Sequence, residues 1–251
     1  MSDMGGFVWH ELTTPDPDGT VAFYGRLLGW EAQPFPGSDP PYRVMMAGGA
    51  GVAGIYAAKA PQPPGWIGYI HVEDVEAASI RIEASGGRFE APAEDMEGIG
   101  RMLLSRDPDG AAFVLMTPAP RGEMPRPAEG APGAPIWDEL YASDVERAFA
   151  FYAGFAGWTR DSAMDMGDMG TYQMFAAGGP AIGGIMRRPE QMMPPGWLVY
   201  FTIASVTASI ALAQELGATH LFGPQEVPGE MWIAQFLDPQ GHMFGLVGPH
   251  G

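Results

Sequence analysis

Two glutamates recur in matching aromatic surroundings. Glu11 stands in the segment Trp9-His10-Glu11-Leu12, and Glu139 stands in Trp137-Asp138-Glu139-Leu140. A carboxylate among aromatic rings can bind a donor group of a small organic molecule, or act as a general base beside a carbonyl. It can equally pair with backbone donors or an arginine and lock two sheets together. Both interpretations stay open, and the two glutamates are the candidate catalytic residues.

These segments belong to a duplication that covers nearly the whole chain of 251 residues. Ala22-Phe23-Tyr24 returns as Ala150-Phe151-Tyr152, and Asp107-Pro108-Asp109-Gly110 returns as Asp238-Pro239-Gln240-Gly241. A repeat of about 120 residues indicates a duplicated domain rather than a stacked array. A Pro/Gly-rich segment between the copies is typical of a linker. We therefore expect domain 1 at 1–120, the linker at 121–133 and domain 2 at 134–251.

The composition excludes several function classes. With 30 acidic against 13 basic residues the net charge is −17, which disfavours nucleic acid and anionic membranes as partners. The absence of cysteine excludes thiol catalysis and thiolate metal sites. No apolar run approaches the ~18 residues of a membrane span. We expect a cytoplasmic protein that binds a small molecule, and a monomer with an internal pseudo-dimer, with a further oligomer left open.

Each copy has the pattern of two consecutive βαβββ units. Asp16 and Asp74 are placed to cap helices in the first copy, and Asp144 and Ser205 take the same places in the second. The strands of the first copy are expected at 7–13, 30–35, 42–47, 52–57, 66–72, 88–90, 100–106 and 111–116.

Paired βαβββ units, an Ala-Phe-Tyr helix closed by Gly-Trp, and an Asp-Pro-x-Gly turn resemble the vicinal-oxygen-chelate superfamily. This superfamily includes glyoxalase I, extradiol dioxygenases and bleomycin-resistance proteins. The Trp-x-Glu-Leu opening and the Pro-Pro-Gly-Trp segment resemble tandem-domain glyoxalase-like proteins of bacteria. The resemblance implies an α+β fold in which four βαβββ units form two tandem domains with cupped mixed sheets.

The resemblance also implies a divalent metal that is held by a histidine from the first strand and a glutamate from the last strand of the units. Those ligand positions fall on apolar residues in this chain: Trp9, Ile67, Val114, Trp137, Leu198 and Gly245. We therefore expect no cofactor, with a divalent metal held by displaced ligands as the alternative. Three histidines stand beside these positions and are interpreted as surface or strand-end residues: His10, His71 and His242.

Strand alternation turns Trp9 and Glu11 to one face of the sheet, and it turns Trp137 and Glu139 likewise. This predicts an aromatic cup with a carboxylate in each copy, suited to a planar or amphipathic small molecule. The candidate ligand-binding residues are Trp9, Tyr42, Arg43, Trp66, Tyr69, Arg101, Trp137, Tyr172, Trp197 and Tyr200. For Trp66 and Trp197, packing at a strand start is the simpler interpretation.

The two copies differ at three places. Gln173 replaces Arg43, Trp232 replaces Arg101, and the Met-rich loop 164–170 occurs in copy two, where we expect a hairpin loop. An anion could bind near the arginines of copy one, which favours that copy as the functional one, although surface arginines are common.

Three functions remain. The first is a metal-free glyoxalase-like protein that binds a small organic molecule, with or without transforming it. The second is a metal-dependent lyase or dioxygenase with displaced ligands. The third is a non-catalytic resistance protein that binds a drug or metabolite.

Overall fold

The structure is a computed structural model, and it describes residues 4–58, 64–120, 127–128, 130–189 and 195–251. Its four helices are α1 (Pro17–Leu28), α2 (Val75–Ala84), α3 (Val145–Ala156) and α4 (Val206–Glu215). The four predicted caps are confirmed: each side chain of Asp16, Asp74, Asp144 and Ser205 accepts a backbone N–H of the first helical turn. None of the helices in the described ranges is long and apolar enough to span a membrane.

Glycines end the first helix of each copy. Gly29 and Gly157 follow α1 and α3 with φ of 72° and 70°. This left-handed conformation costs little for glycine and turns the chain sharply out of the helix. The tryptophan that comes next, Trp30 or Trp158, is buried.

The described strands form two mixed sheets, one for each sequence copy, as the resemblance implied. The first sheet comprises β1 (Phe7–Thr14), β2 (Glu31–Phe35), β3 (Tyr42–Ala47), β4 (Ala50–Ala57), β5 (Gly65–His71), β6 (Arg88–Phe89), β7 (Glu94–Met96), β8 (Gly100–Arg106) and β9 (Ala112–Pro118). Its order is β2-β3-β4-β1-β5-β9-β8-β6, and β7 pairs with β8.

The second sheet repeats that plan. It comprises β10 (Pro135–Ala142), β11 (Thr159–Asp165), β12 (Thr171–Ala176), β13 (Ala181–Arg187), β14 (Gly196–Thr202), β15 (Thr219–Val227), β16 (Met231–Leu237) and β17 (Met243–Gly248). Its order is β11-β12-β13-β10-β14-β17-β16-β15. The Met-rich segment forms the predicted hairpin, with a 3₁₀ turn at Gly167–Met169 between β11 and β12.

We number the four βαβββ modules in chain order: module 1 (7–57), module 2 (65–118), module 3 (135–187) and module 4 (196–248). The described residues group into two compact units, one within 1–9, 67–123 and 137–197, the other within 10–66, 124–136 and 198–251. The first unit thus holds modules 2 and 3, and the second holds module 4 with most of module 1. The proposed boundaries at 120 and 134 stay a prediction, and 121–126 and 129 of the linker lie outside the described residues.

The first unit has its own core, in which a buried tyrosine–aspartate hydrogen bond joins its two modules. We call this arrangement a tyrosine–aspartate lock. The core contains Phe113, Tyr152 and Phe175, all fully buried. Tyr152 donates from its hydroxyl to Asp107 at 3.2 Å and accepts the indole N–H of Trp197 at 3.2 Å. Burial, and then the Asp107 charge, raise the pKa of Tyr152, so the phenol stays a donor.

The second unit is built in the same way. Tyr24 donates to Asp238 at 3.2 Å and accepts the indole N–H of Trp66 at 3.1 Å. Asp238 is also contacted by His242, whose Nδ1 lies 3.1 Å away. His10 is 4% exposed and lies inside β1, so its interpretation as a surface or strand-end residue is wrong. His71 ends β5 and His242 directly precedes β17, so these two lie at strand ends as expected, and His242 is buried there with 7% exposure.

Candidate functional site: two cross-strand rows

The predicted strand alternation is confirmed for both glutamates. Leu12 and Leu140 are fully buried in the cores under the helices, and their neighbours Glu11 and Glu139 therefore lie on the opposite, concave faces of the sheets. Both glutamates are nonetheless buried, with 8% and 6% exposure.

Each glutamate is held by a tyrosine that crosses a glycine. Tyr42 on β3 donates to Glu11 Oε1 at 2.7 Å, and Gly54 on the intervening strand β4 is paired with Glu11. A Cβ at Gly54 would overlap the Tyr42 hydroxyl and ring. The missing side chain is therefore what lets the tyrosine lie over β4 and reach the carboxylate. Gly54 was not among the residues singled out from the sequence, because a strand glycine shows this role only once the register is known.

In module 1 this tyrosine belongs to a row of neighbouring side chains on four strands. The strand pairing aligns Phe35 with Tyr42 and Tyr56 with Thr13. The Tyr42 and Tyr56 rings stack at 5.5 Å between centroids, and Phe35 meets Tyr42 edge-on at 6.1 Å. Tyr42 and Tyr56 are half-buried and Phe35 is 39% exposed. We call Phe35, Tyr42, Tyr56 and Thr13 row one.

Module 3 carries the equivalent row with different residues. Here Met164 is paired with Tyr172 and Met186 is paired with Tyr141, and we call these four residues row two. Thioethers thus replace the two aromatic rings that flank the central tyrosine in row one. Tyr172, Met186 and Tyr141 are all buried, so most of row two is closed to solvent.

The closed row contains a chain of two side-chain hydrogen bonds. Trp137 Nε1 donates to the Tyr172 hydroxyl at 2.8 Å, and that hydroxyl donates to Glu139 Oε2 at 3.0 Å. Gly184 lies beneath Tyr172 as Gly54 lies beneath Tyr42. Burial foremost, and then the Glu139 charge, raise the pKa of Tyr172 far above its ordinary value. Tyr172 is therefore a neutral donor across the physiological range.

The remaining predicted cup residues lie on the concave faces of modules 2 and 4. Tyr69 packs in an apolar cluster with Trp9, Ile67 and Val114. Tyr200 is fully buried over Gly245 and accepts the side-chain N–H of Gln235 at 2.6 Å. Tyr69 and Tyr200 are 8% and 1% exposed, so both are packed against neighbouring side chains.

Two predicted ligand residues, Arg43 and Arg101, lie on the helix-covered face instead. Arg43 forms an ion pair with Asp18 of α1, and Arg101 bonds Glu76 of α2 at 2.5 Å and Asp95 at 2.9 Å. Each arginine is next in sequence to a residue of the concave face, and strand alternation turns it away from that face. The preference for copy one based on an anion site near these arginines was therefore wrong.

Trp66 and Trp197 are also placed away from the concave faces. Trp66 packs on Tyr24 and Phe201, and Trp197 packs on Tyr152 and Trp158. Their indole N–H groups complete the two tyrosine–aspartate locks. They are core anchors, as the simpler interpretation held.

The most buried acidic residues were not predicted from the sequence. Asp107 and Asp238 of the Asp-Pro-x-Gly turns are 2% and 3% exposed, and Asp138 is 5% exposed. Burial raises the pKa of Asp107, while two backbone N–H donors oppose that shift. A turn motif gave no signal of burial, because the partner tyrosine comes from the other sequence copy.

The donor set does not fit the divalent metal that the resemblance implied. Within the described residues, no three His, Asp or Glu side chains are grouped as metal ligands. Glu11 and Glu139 are paired in register with Gly54 and Gly184, while Tyr69 and Tyr200 are paired with Val114 and Gly245. The strand opposite each candidate donor thus offers no second ligand.

The similarity of this chain to known proteins identifies the superfamily to which it belongs. The profile of the Glyoxalase/Bleomycin resistance protein/Dioxygenase superfamily matches residues 6–115. The proposed glyoxylase CFP32 of Mycobacterium tuberculosis is 33% identical in an alignment that covers 96% of this chain and 94% of that protein. The chain belongs to this superfamily. The anthracycline biosynthesis protein DauV of Streptomyces sp. strain C5 is a further relative, 29% identical over 97% of this chain and 93% of its own.

Solved structures of the superfamily share the fold. The Mn(II)-bound glyoxalase from Novosphingobium aromaticivorans superposes with a TM-score of 0.71 at 18% identity, over 99% of this chain and 83% of that one. The 2,3-dioxygenase LapB from Pseudomonas sp. KL28 gives 0.68 at 16% identity, over 99% and 94%. At such identities the likeness concerns the α+β architecture of paired βαβββ modules.

Proposed function

We propose that this chain binds a small, planar organic molecule on the concave face of module 1, and does so without a metal ion. The observation that carries the proposal is row one, with three aromatic side chains on adjacent strands, partly open to solvent, beside the Glu11 carboxylate. Such a surface offers ring stacking for a flat molecule and an acceptor for its donor group.

Row one provides both parts of the recognition within one module. Tyr56 stacks on Tyr42 from β4, and Phe35 meets Tyr42 edge-on from β2. Glu11 is held in place by the Tyr42 hydroxyl, which orients its carboxylate beside the rings. A preorganised acceptor loses little side-chain entropy on binding, which favours affinity.

One further observation disfavours metal-dependent chemistry, and another favours a flat ligand. The donor set does not fit a divalent metal, so the lyase and dioxygenase activities of metal-using relatives receive no support from the side chains present. The relative DauV is named for anthracycline biosynthesis, and anthracyclines are flat, fused-ring molecules.

Calorimetric titration with 2-naphthol, a flat ring system with one hydroxyl donor, tests the proposal. We expect one molecule to bind per chain, and we expect Tyr56→Ala to weaken binding at least about tenfold, since an aromatic stacking contact is lost. Met186→Ala is the matched control in row two and should bind 2-naphthol like the wild type. Equal loss in both variants, or no binding to the wild type, would refute the proposal.

The metal-free part is tested separately. Protein purified without chelator should contain no stoichiometric divalent ion by elemental analysis. A ratio near one metal per chain that persists after dialysis would show that displaced ligands hold a metal after all.

A further inference from the structure

We infer that the concave face of module 2 holds a site for copper(I), formed by His71, Met116 and Met102. The inference is independent of the proposed function, which concerns module 1. It starts from the strand register: His71 on β5 is paired with Met116 on β9, and Met116 is paired with Met102 on β8. Paired residues of neighbouring strands point to the same face, and such strands lie about 4.8 Å apart. One imidazole and two thioethers thus stand side by side.

The three side chains lie on the face that contains Tyr69. His71 follows Tyr69 by two residues, so strand alternation turns both to the same side. Met102 and Met116 pack against the apolar cluster around Tyr69. His71, Met102 and Met116 are all half-buried, so part of each side chain is open to solvent on the concave face.

The donor types define the class of ion. Thioether sulfur and imidazole nitrogen suit copper(I), whereas Mg²⁺ and Ca²⁺ prefer oxygen ligands. A methionine side chain is unbranched and has three rotatable bonds, so both sulfurs can turn toward one ion beside the histidine. This distinguishes the site from the divalent metal site of the superfamily, which needs histidine and carboxylate ligands.

His71 has an unsatisfied polar atom. Its Nδ1 is buried and has no hydrogen-bond partner among the described residues. A buried polar atom without a partner costs free energy, and a bond to a metal ion would remove that cost. The exposed Glu94, which is paired with Met102 on the far side of β8, adds a negative charge at the end of the row.

Module 4 shows that the fold does not require these residues. The equivalent row there is Thr202, Val247 and Ile233, with the same pairing between strands. Val247 and Ile233 are half-buried, like the two methionines of module 2. β-Branched residues are the ones that strands favour. Packing alone therefore does not account for a histidine and two methionines in register.

Competition for copper(I) under nitrogen tests the inference on the full chain. The coloured bicinchoninate complex of copper(I) should lose its colour as the protein takes up one ion per chain. Met116→Val and Met102→Ile place the module 4 residues in module 2. Each should weaken copper(I) binding at least about tenfold, the scale on which metal sites lose affinity when even a supporting residue is changed. Met169→Leu, in the Met-rich loop, is the matched control and should bind like the wild type.

Two results would overturn the inference. One is the absence of copper(I) transfer, or equal affinity in the wild type and both module 2 variants. The other is loss of binding in Met169→Leu, which would assign the ion to the loop. Neither result bears on the binding of 2-naphthol in module 1, which is measured without metal.

Thermal unfolding without metal shows whether the variants fold. Should either fail, NMR of the wild type with ¹³C-methyl-labelled methionine decides. Silver(I), a redox-stable ion with the same preference for soft ligands, must then shift the methyl signals of Met102 and Met116. Unshifted signals of these two residues would refute the site.

Discussion

Modules 1 and 3 contain the same glutamate–tyrosine arrangement, and the residues around it are more exposed to solvent in module 1 than in module 3. In both, a tyrosine on the third strand crosses a glycine on the fourth strand to hold a glutamate on the first. In module 3 a tryptophan donates to the tyrosine and buried side chains surround it. In module 1 the tyrosine stacks on Tyr56 and meets Phe35 edge-on, and these rings reach solvent. The glutamate–tyrosine pair is thus a structural element of the duplicated fold, and its surroundings differ in exposure between the two modules.

The glycines under the tyrosines give the largest expected difference between the modules. Gly184→Ala should destabilise the chain by about 2–3 kcal/mol, because the new Cβ overlaps the buried Tyr172 ring, which has nowhere to move. Gly54→Ala should cost only about 1 kcal/mol, since the half-exposed Tyr42 can swing outwards. Urea denaturation measures both variants. Equal losses of stability would show that row one is as closed as row two.

The second largest loss of stability is expected when the tyrosine hydroxyls are removed. Tyr172→Phe should cost about 1–3 kcal/mol, because a buried hydrogen-bonded group is removed between Trp137 and Glu139. Tyr42→Phe should cost less than about 1 kcal/mol, since water can take the place of the hydroxyl at a half-buried site. Thermal unfolding of the two variants side by side gives the comparison, and a larger loss for Tyr42→Phe would reverse it.

Alkaline pH offers a test of the closed row alone. The pKa of Tyr172 is raised in the folded state, so above about pH 10 the unfolded chain releases this proton while the folded chain keeps it. The contribution of Tyr172 to stability is complete below that pH and declines as the pH rises. Tyr172→Phe should therefore have a flatter loss of stability between about pH 9 and 11 than the wild type. Parallel curves for the two proteins would mean that Tyr172 ionises freely.

The smallest effects are expected from the arginines. Arg43→Gln and Arg101→Gln remove exposed ion pairs on the helix-covered face, where such pairs add little. Both variants should bind 2-naphthol with unchanged affinity in the calorimeter. A marked loss of affinity in either variant would show that its arginine contributes to ligand binding.

Much of the fold follows from local signals in the sequence. The duplication is visible in the sequence itself. The caps at Asp16 and Ser205 and the glycines that end α1 and α3 depend on contacts within a few residues, so they were predictable as well. The alternation that placed Glu11 on the concave face also depends only on neighbours along the strand.

The composition of the site depended on register, which the sequence does not display. Phe35 and Tyr56 join Tyr42 only because β2, β3 and β4 pair as they do. The separation of Arg43 from Tyr42, in contrast, follows from alternation alone, since adjacent residues of a strand point to opposite faces. The locks at Asp107 and Asp238 could not be foreseen, because each joins the two sequence copies within one compact unit.

A crystal structure with 2-naphthol tests the central claim most directly, namely that one of two equivalent rows is open to a ligand. We predict one naphthol per chain, stacked against Tyr56 with its hydroxyl on Glu11, and no such density beside Tyr172. Density beside Tyr172 and Met186, or equal occupancy at both rows, would contradict the account.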